Sequence, residues 1–151
     1  MLFYKVRKFV RLSFRDKIYL TEAFVMLMIA KQVIFLVPLP KVAPYFGKLN
    51  GASNVTLSNV ELEISDKVKW SVSIASRAVP WNSVCLDQAL SGIMMLKRKK
   101  IPYHLCLGVK KDENNIKAHA WVLCGGRILI GGQRSRTYTI VAQFSRSFDD
   151  V

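Results

Sequence analysis

The sequence predicts an α+β fold in which helices come first and an antiparallel sheet follows, with the helices on one side of the sheet. Three features predict it. Apolar residues before Pro102 recur at helical spacing, those after it fall in short strand-like runs, and Gly-Gly pairs punctuate the runs. The chain has 151 residues, 51% of them hydrophobic, which suffices for one domain that needs neither disulfide nor metal. That apolar fraction also excludes intrinsic disorder.

Ser13-Phe14-Arg15-Asp16 has the form of a helix cap before an apolar stretch, and Pro38 and Pro40 close that stretch. A long helix is therefore expected over about 14–37. Only Glu22 and Lys31 are charged between Ile18 and Pro40, yet the longest unbroken apolar run is Ala23–Ala30. That falls short of the ~20 residues of a membrane span, so the helix should either bury most of its girth in the fold or leave a face for a partner or a membrane surface, with peripheral contact favoured over insertion. Val37-Pro38-Leu39 is not a signal-peptide cleavage site. A short helix over 40–46 should stop at Gly47, and the Asn-, Ser- and Gly-rich residues 48–60 read as a connector. Ile64, Val68, Val72, Ala75 and Val79 place a helix over 62–78. The expected division is a helical extension with its connector over 1–60 and a core over 61–151.

Leu86, Ala89, Leu90, Ile93 and Met94 form the apolar stripe of a helix at about 84–99, whose basic last turn suits the negative end of the helix dipole. Tyr103–Val109 reads as a strand, Lys110–Asn115 as a polar turn and Ile116–Cys124 as a second strand. Gly125-Gly126 is a two-residue hairpin signal leading into Arg127–Ile130, and a last strand is expected over Thr137–Phe144.

Lysine and arginine number 23 against ten acidic residues, a formal net charge of +13. Residues 1–48 carry nine basic side chains, Lys5 the first of them, against Asp16 and Glu22; Lys97-Arg98-Lys99-Lys100 forms a second block. Such a field attracts anionic partners, or simply keeps a solvated face soluble. No RNP aromatic pair, zinc finger or GxxG loop is present, so nucleic acid is not expected as a partner. The three cysteines, 85, 106 and 124, are odd in number and contain no CxxC, which fits a reducing cytoplasm. No metal or cofactor is expected. Cys106, Cys124 and His104 are assigned to structure.

Cys85 falls in the first turn of the 84–99 helix, with Asn82 or Ser83 as its cap. The position bears on reactivity, because a free thiol is only about 3% ionised at pH 7 and the thiolate is the nucleophile. A helix N-terminus and a nearby imidazolium both favour the anion. His119 lies within Ala118-His119-Ala120-Trp121-Val122, and strand alternation puts it on one face with Trp121 and Leu123. Taken singly, each is an ordinary core residue type. Together, a helix-start cysteine followed by a strand histidine has the order of a papain- or transglutaminase-type cysteine-protease core. Gln88 and Gly92 share the helix face of Cys85, and Gly92 would permit close approach of the His119 strand or be a tolerated surface glycine.

Three segments make the resemblance specific: Trp81-Asn-Ser-Val-Cys85-Leu-Asp-Gln-Ala-Leu90, Lys100-Ile-Pro-Tyr-His-Leu-Cys-Leu-Gly-Val109, and Ala118-His-Ala-Trp-Val122 followed by Gly126. They resemble the transglutaminase-like B2 proteins of lasso peptide biosynthesis. Arg11-Leu-Ser-Phe-Arg-Asp16 and the stretch ending in Pro38 resemble that family's N-terminal helical region. The resemblance implies a cytoplasmic bacterial cysteine peptidase that removes the leader from a ribosomally made precursor peptide. It makes Cys85 the nucleophile and His119 the general base that then protonates the leaving amine. The Cys85 N–H would serve the oxyanion, with a second donor from Trp81 or Asn82, and Gln88 is a further oxyanion or orienting candidate.

The sequence departs from the family in one place. An aspartate often follows the histidine to orient it, but Gly131 stands there, and residues 114–148 contain no carboxylate. The orienting group is then Gln133, a backbone carbonyl or a remote acid such as Asp87. Residues 1–60 contain no winged helix-turn-helix, so the resemblance implies a separate leader-recognition protein of that type. It also implies a neighbouring macrolactam cyclase, because lasso closure uses the amine that cleavage exposes. Lys97, Arg98, Lys99 and Trp121 are candidate docking residues, with the apolar N-terminal helix beside them. The alternatives are a non-catalytic transglutaminase-like scaffold of a peptide-maturation complex, a transglutaminase or amidase acting on Gln side chains, and a membrane-surface binder.

Overall fold

Ser13 opens the long first helix of the computed structural model, which describes residues 7–51 and 55–148. Lys5 and residues 52–54 of the expected connector lie outside the described residues. In α1 (Phe14–Leu36) the Ser13 hydroxyl accepts the Asp16 N–H at 3.1 Å, as the capping pattern requires. The helix stops at Leu36 because Val37 precedes Pro38 and takes an extended conformation. Tyr19, Leu20, Ala23, Leu27 and Ala30 recur every three or four residues and form its buried stripe. Among the described residues α1 is the one helix long and apolar enough to cross a membrane, and 28% of its apolar window is buried.

The expected 40–46 helix is divided into α2 (Leu39–Val42) and a 3-10 turn, Ala43–Phe46. Gly47 follows with φ +129°, and its bare backbone lies against the Ser145 carbonyl. The connector contains a pairing that polarity concealed. β1 (Lys48–Leu49) joins the sheet opposite Ser145 and Phe144. The next helix, α3 (Asn59–Ser76), begins three residues earlier than expected. Ser58 and Glu61 form a capping box there, Ser58 N–H to Glu61 Oε2 at 2.7 Å and Glu61 N–H to Ser58 Oγ at 3.3 Å.

The remaining elements are α4 (Cys85–Arg98), β2 (Tyr103–Asp112), β3 (Asn115–Cys124), β4 (Arg127–Ile130), a 3-10 turn at Gln133–Thr137, and β5 (Thr139–Arg146). The β2–β3 turn is tighter than the expected Lys110–Asn115, since Asp112 pairs with Asn115 and Glu113 carries a positive φ of 51°. At the next hairpin Gly125 and Gly126 have φ of 54° and 75°, the signature of a two-residue turn. The last strand starts two residues late because the 3-10 turn takes its predicted first residues.

The sheet order is β1-β5-β2-β3-β4, with every neighbouring pair antiparallel. One continuous core joins α1 (Ala23, Leu27), α3 (Val68, Val72), α4 (Leu90, Ile93) and the sheet residues Leu105, Ala120 and Val122. Each Val, Leu or Ile side chain among them contributes roughly 1.5–3 kcal/mol by leaving water. α1 is also tied electrostatically to the other helices. Asp16 pairs with Lys67 of α3 at 2.7 Å, and Glu22 accepts from Arg98 at 3.1 Å and Lys99 at 2.7 Å on α4.

Candidate active site

Neither Asn82 nor Ser83 caps α4. The N-cap residue is Val84, which has no polar side chain, and the helix solves the problem from within. Asp87 turns back so that its Oδ2 accepts the Val84 N–H at 3.1 Å. Asp87 is fully buried, and its charge is met by Lys31 of α1, whose Nζ lies 3.4 Å from Oδ2. This pair fixes where the helix begins, and the first residue of the helix is Cys85. The Cys85 N–H, at the first helical position, has no intrahelical acceptor to serve.

His119 sits in β3, half-buried, with its Nε2 at 2.9 Å from the Gly131 carbonyl oxygen. A carbonyl only accepts, so Nε2 carries the hydrogen and Nδ1 remains the basic nitrogen. The ring is flanked by Trp121, stacked at 5.8 Å, and by Tyr138 at 5.1 Å. Gly131 itself holds φ +101°, and a Cβ there would come within 2.8 Å of Trp121 Cα and 2.9 Å of the Ala120 oxygen. Position 131 therefore has no room for a side chain in this backbone. Asp87 is occupied at the helix start and does not orient His119. For Gln133, only the backbone, in the turn after Gly132, is described.

Cys85 and His119 line one cleft of about 360 Å3, together with Gln88, Gly131, Gly132 and, from α3, Lys69 and Ser73. Gln88 is anchored by a bond from its Nε2 to the Ser83 carbonyl at 3.3 Å. Sequence reasoning missed Lys69 and Ser73, which follow the helical i, i+4 spacing but sit on a helix assigned only to packing. Trp81 and Asn82 do not line the cleft; the Trp81 ring packs 6.5 Å from Phe24 of α1.

The candidate docking set does not survive as one surface. Arg98 and Lys99 are held by Glu22, and Lys99 also lies 4.7 Å over the Tyr19 ring, which leaves Lys97 without an ion-pair partner among the described residues. Trp121 is buried beside His119 and presents no docking face. Gly92 is also buried, and the group it admits is the Ile130 side chain of β4, not the His119 strand.

The other two cysteines are chemically distinct from Cys85. Burial pushes the Cys106 thiol up, and it pushes Cys124 up to about 12, where the sulfur donates to the Pro102 carbonyl at 2.9 Å. Both stay protonated and inert at neutral pH. Cys85 is half-buried and opens on the cleft.

A helix that opens on a cysteine, packed on an antiparallel sheet whose strand brings a histidine to the same cleft, is the arrangement of a papain-like α+β fold. The chain belongs to the transglutaminase-like superfamily, whose family model matches residues 33–143. That superfamily includes cysteine peptidases. The match begins inside α1, consistent with the single core that α1 shares with the sheet. No curated protein and no solved structure matches the chain.

Proposed function

We propose that this protein is a cysteine peptidase that removes the leader from a ribosomally synthesised lasso-peptide precursor in the bacterial cytoplasm. The observation that carries the reading is the His119–Gly131 bond beside Cys85: Nε2 is engaged, and Nδ1 is the nitrogen left to take a proton from the thiol. The family match supports the cysteine-peptidase class, and the B2-like segments around Cys85 and His119 are what point to the substrate.

Proton transfer from the Cys85 thiol to His119 Nδ1 gives the thiolate, which attacks the scissile carbonyl. The oxyanion takes the Cys85 N–H, and Gln88, which lines the same cleft, is the candidate for a second donor. The His119 imidazolium then protonates the leaving amine as the C–N bond breaks, leaving a thioester on Cys85. Water, losing its proton to His119, hydrolyses the thioester and regenerates the thiol. A separate leader-recognition protein would deliver the leader as an added strand, and a macrolactam cyclase would consume the freed amine.

The neutral carbonyl where relatives often carry an aspartate favours a second reading, a non-catalytic scaffold of the same maturation complex. One experiment separates them. A candidate precursor peptide, sought among the neighbouring open reading frames, is incubated with the protein and a candidate recognition protein, and products are read by mass spectrometry. A peptidase yields leader and core differing from precursor by one water, abolished by Cys85→Ala and reduced at least about 100-fold by His119→Ala. Turnover indifferent to Cys85→Ala would sink the proposal, and ammonia loss without chain cleavage would indicate amidase chemistry.

A further inference from the structure

A cavity larger than the Cys85 cleft exists among the described residues. It lies between the C-terminal half of α1, the corner formed by α2 and its 3-10 turn, and α4, and measures about 580 Å3. Pockets of ~300–1,000 Å3 hold small-molecule ligands. Ala30, Val33, Val37, Ile93 and Met94 supply its apolar wall, and its only charged lining residues are Lys41 and Lys97.

We infer that this cavity seats one acyl chain of an anionic membrane lipid, with Lys41 and Lys97 holding the headgroup. The wall decides the chemistry of the ligand. Tyr103 Oη is already committed to the Phe46 carbonyl at 2.9 Å, and none of the unpartnered buried side-chain atoms among the described residues belongs to the lining. A peptide entering here would bring backbone N–H and C=O groups with nothing to bond, at a cost that a hydrocarbon chain does not incur.

The surroundings decide where the chain comes from. Phe35 (82% exposed), Leu36 (69%) and Tyr45 (71%) stand open to solvent at the same corner, joined by Leu39. The exposed stripe continues back along α1 through Ile29, Met28, Val25 and Ile18. Lys31, Arg98 and Lys99 have carboxylate partners, whereas Lys41 and Lys97 have none among the described residues. Large apolar side chains interleaved with unpaired lysines are the composition of a surface that settles into the headgroup–acyl boundary of an anionic bilayer. The inference is independent of the peptidase reading, since Cys85 and Gln88 line a different cavity.

Flotation of the full chain with vesicles tests it. With roughly one-third phosphatidylglycerol in phosphatidylcholine the protein should float, and with phosphatidylcholine alone it should float far less. Each lysine at such a surface is worth about fivefold in partitioning, so Lys41→Gln/Lys97→Gln should lower it about 30-fold with an unchanged melting temperature. Val37→Phe, which fills the cavity and alters no charge, should weaken binding while leaving its dependence on anionic lipid. In Tyr45→Trp the added indole should be quenched by phosphatidylglycerol brominated along its acyl chain, beyond the quenching of the unsubstituted protein. Equal flotation on both vesicle types, indifference to the double lysine variant, or absence of added quenching overturns the inference. So does loss of recognition-protein binding in that variant with vesicle binding intact, which would assign the face to a protein. Vesicle binding by Cys85→Ala should equal that of the unsubstituted chain, so failure of the peptidase reading is scored separately.

Discussion

The Nε2 of His119 and the carbonyl oxygen of Gly131, twelve residues apart in sequence, are 2.9 Å apart in the fold. A main-chain acceptor thus stands where the family resemblance led us to expect a carboxylate. It fixes the ring's tautomer as an acid would, but brings no negative charge to an imidazolium.

Restoring the acid should not help. Gly131→Asp and Gly131→Ala both place a Cβ against Trp121 at a φ that L-residues adopt with strain, at about 1–3 kcal/mol. Both variants should melt lower and lose peptide cleavage, and Gly131→Asp should not exceed Gly131→Ala in activity. Thermal denaturation alongside the mass-spectrometric assay checks this.

The three thiols should react unequally. Native protein treated briefly with iodoacetamide should gain one adduct, mapped to Cys85, because Cys106 and Cys124 are buried with raised pKa values. In denaturant three adducts are expected, and Cys85→Ala should give none in the native state. Adducts on Cys106 or Cys124 in the folded protein would contradict the core assignment.

Lys31 and Asp87, 56 residues apart, couple the first helix to the start of the helix that carries Cys85. Asp87 is buried while 38% of the Lys31 side chain is exposed, so solvent screening reduces what the pair contributes. Lys31→Met should destabilise by about 1–3 kcal/mol, and Asp87→Ala by more, since it also abandons the Val84 N–H. Asp87→Asn keeps that bond and should recover part of the loss. Urea titrations of the two single variants and the double variant should give a coupling of about 1–2 kcal/mol.

His104 should make the fold acid-sensitive near neutrality. Burial lowers its pKa from the ordinary 6.5, and its Nε2 is buried without a partner. The unfolded chain therefore binds the proton first: stability is intact above about pH 6.5 and falls as pH drops below it. Asp16 and Asp112 have pKa values lowered from 3.8 by Lys67 and Lys117, so their stabilisation is present above that value and lost only in stronger acid. Melting temperatures between about pH 7.5 and pH 5 should decline in the native sequence and flatten in His104→Gln.

Much of this molecule was legible because local signals agreed with the global fold. Ser13 with Asp16, the stripe from Leu86 to Met94, and Gly125-Gly126 each act over a few residues, and each appears where its chemistry predicts. Cys85 and His119 were legible as a pair through family resemblance and element order. Signals misled where the deciding partner was distant. A polar run concealed a β1 strand because β5 supplies its hydrogen bonds, and Arg98 and Lys99 read as free cations until Glu22 met them.

By itself the sequence determined the order of the main helices and of strands β2 to β5, the helix-start position of one thiol and the lack of a carboxylate over residues 114–148. Those follow from backbone propensity, side-chain periodicity and covalent order, which act along the chain. Only the folded chain decided that the Gly131 carbonyl accepts the hydrogen bond of the His119 Nε2–H, that Asp87 and Lys31 hold the helix start, and that α3 contributes Lys69 and Ser73 to the cleft. These are hydrogen bonds and contacts between groups far apart in sequence. Their partners are chosen by packing, because a buried donor or charge must be met by whatever the fold brings within reach.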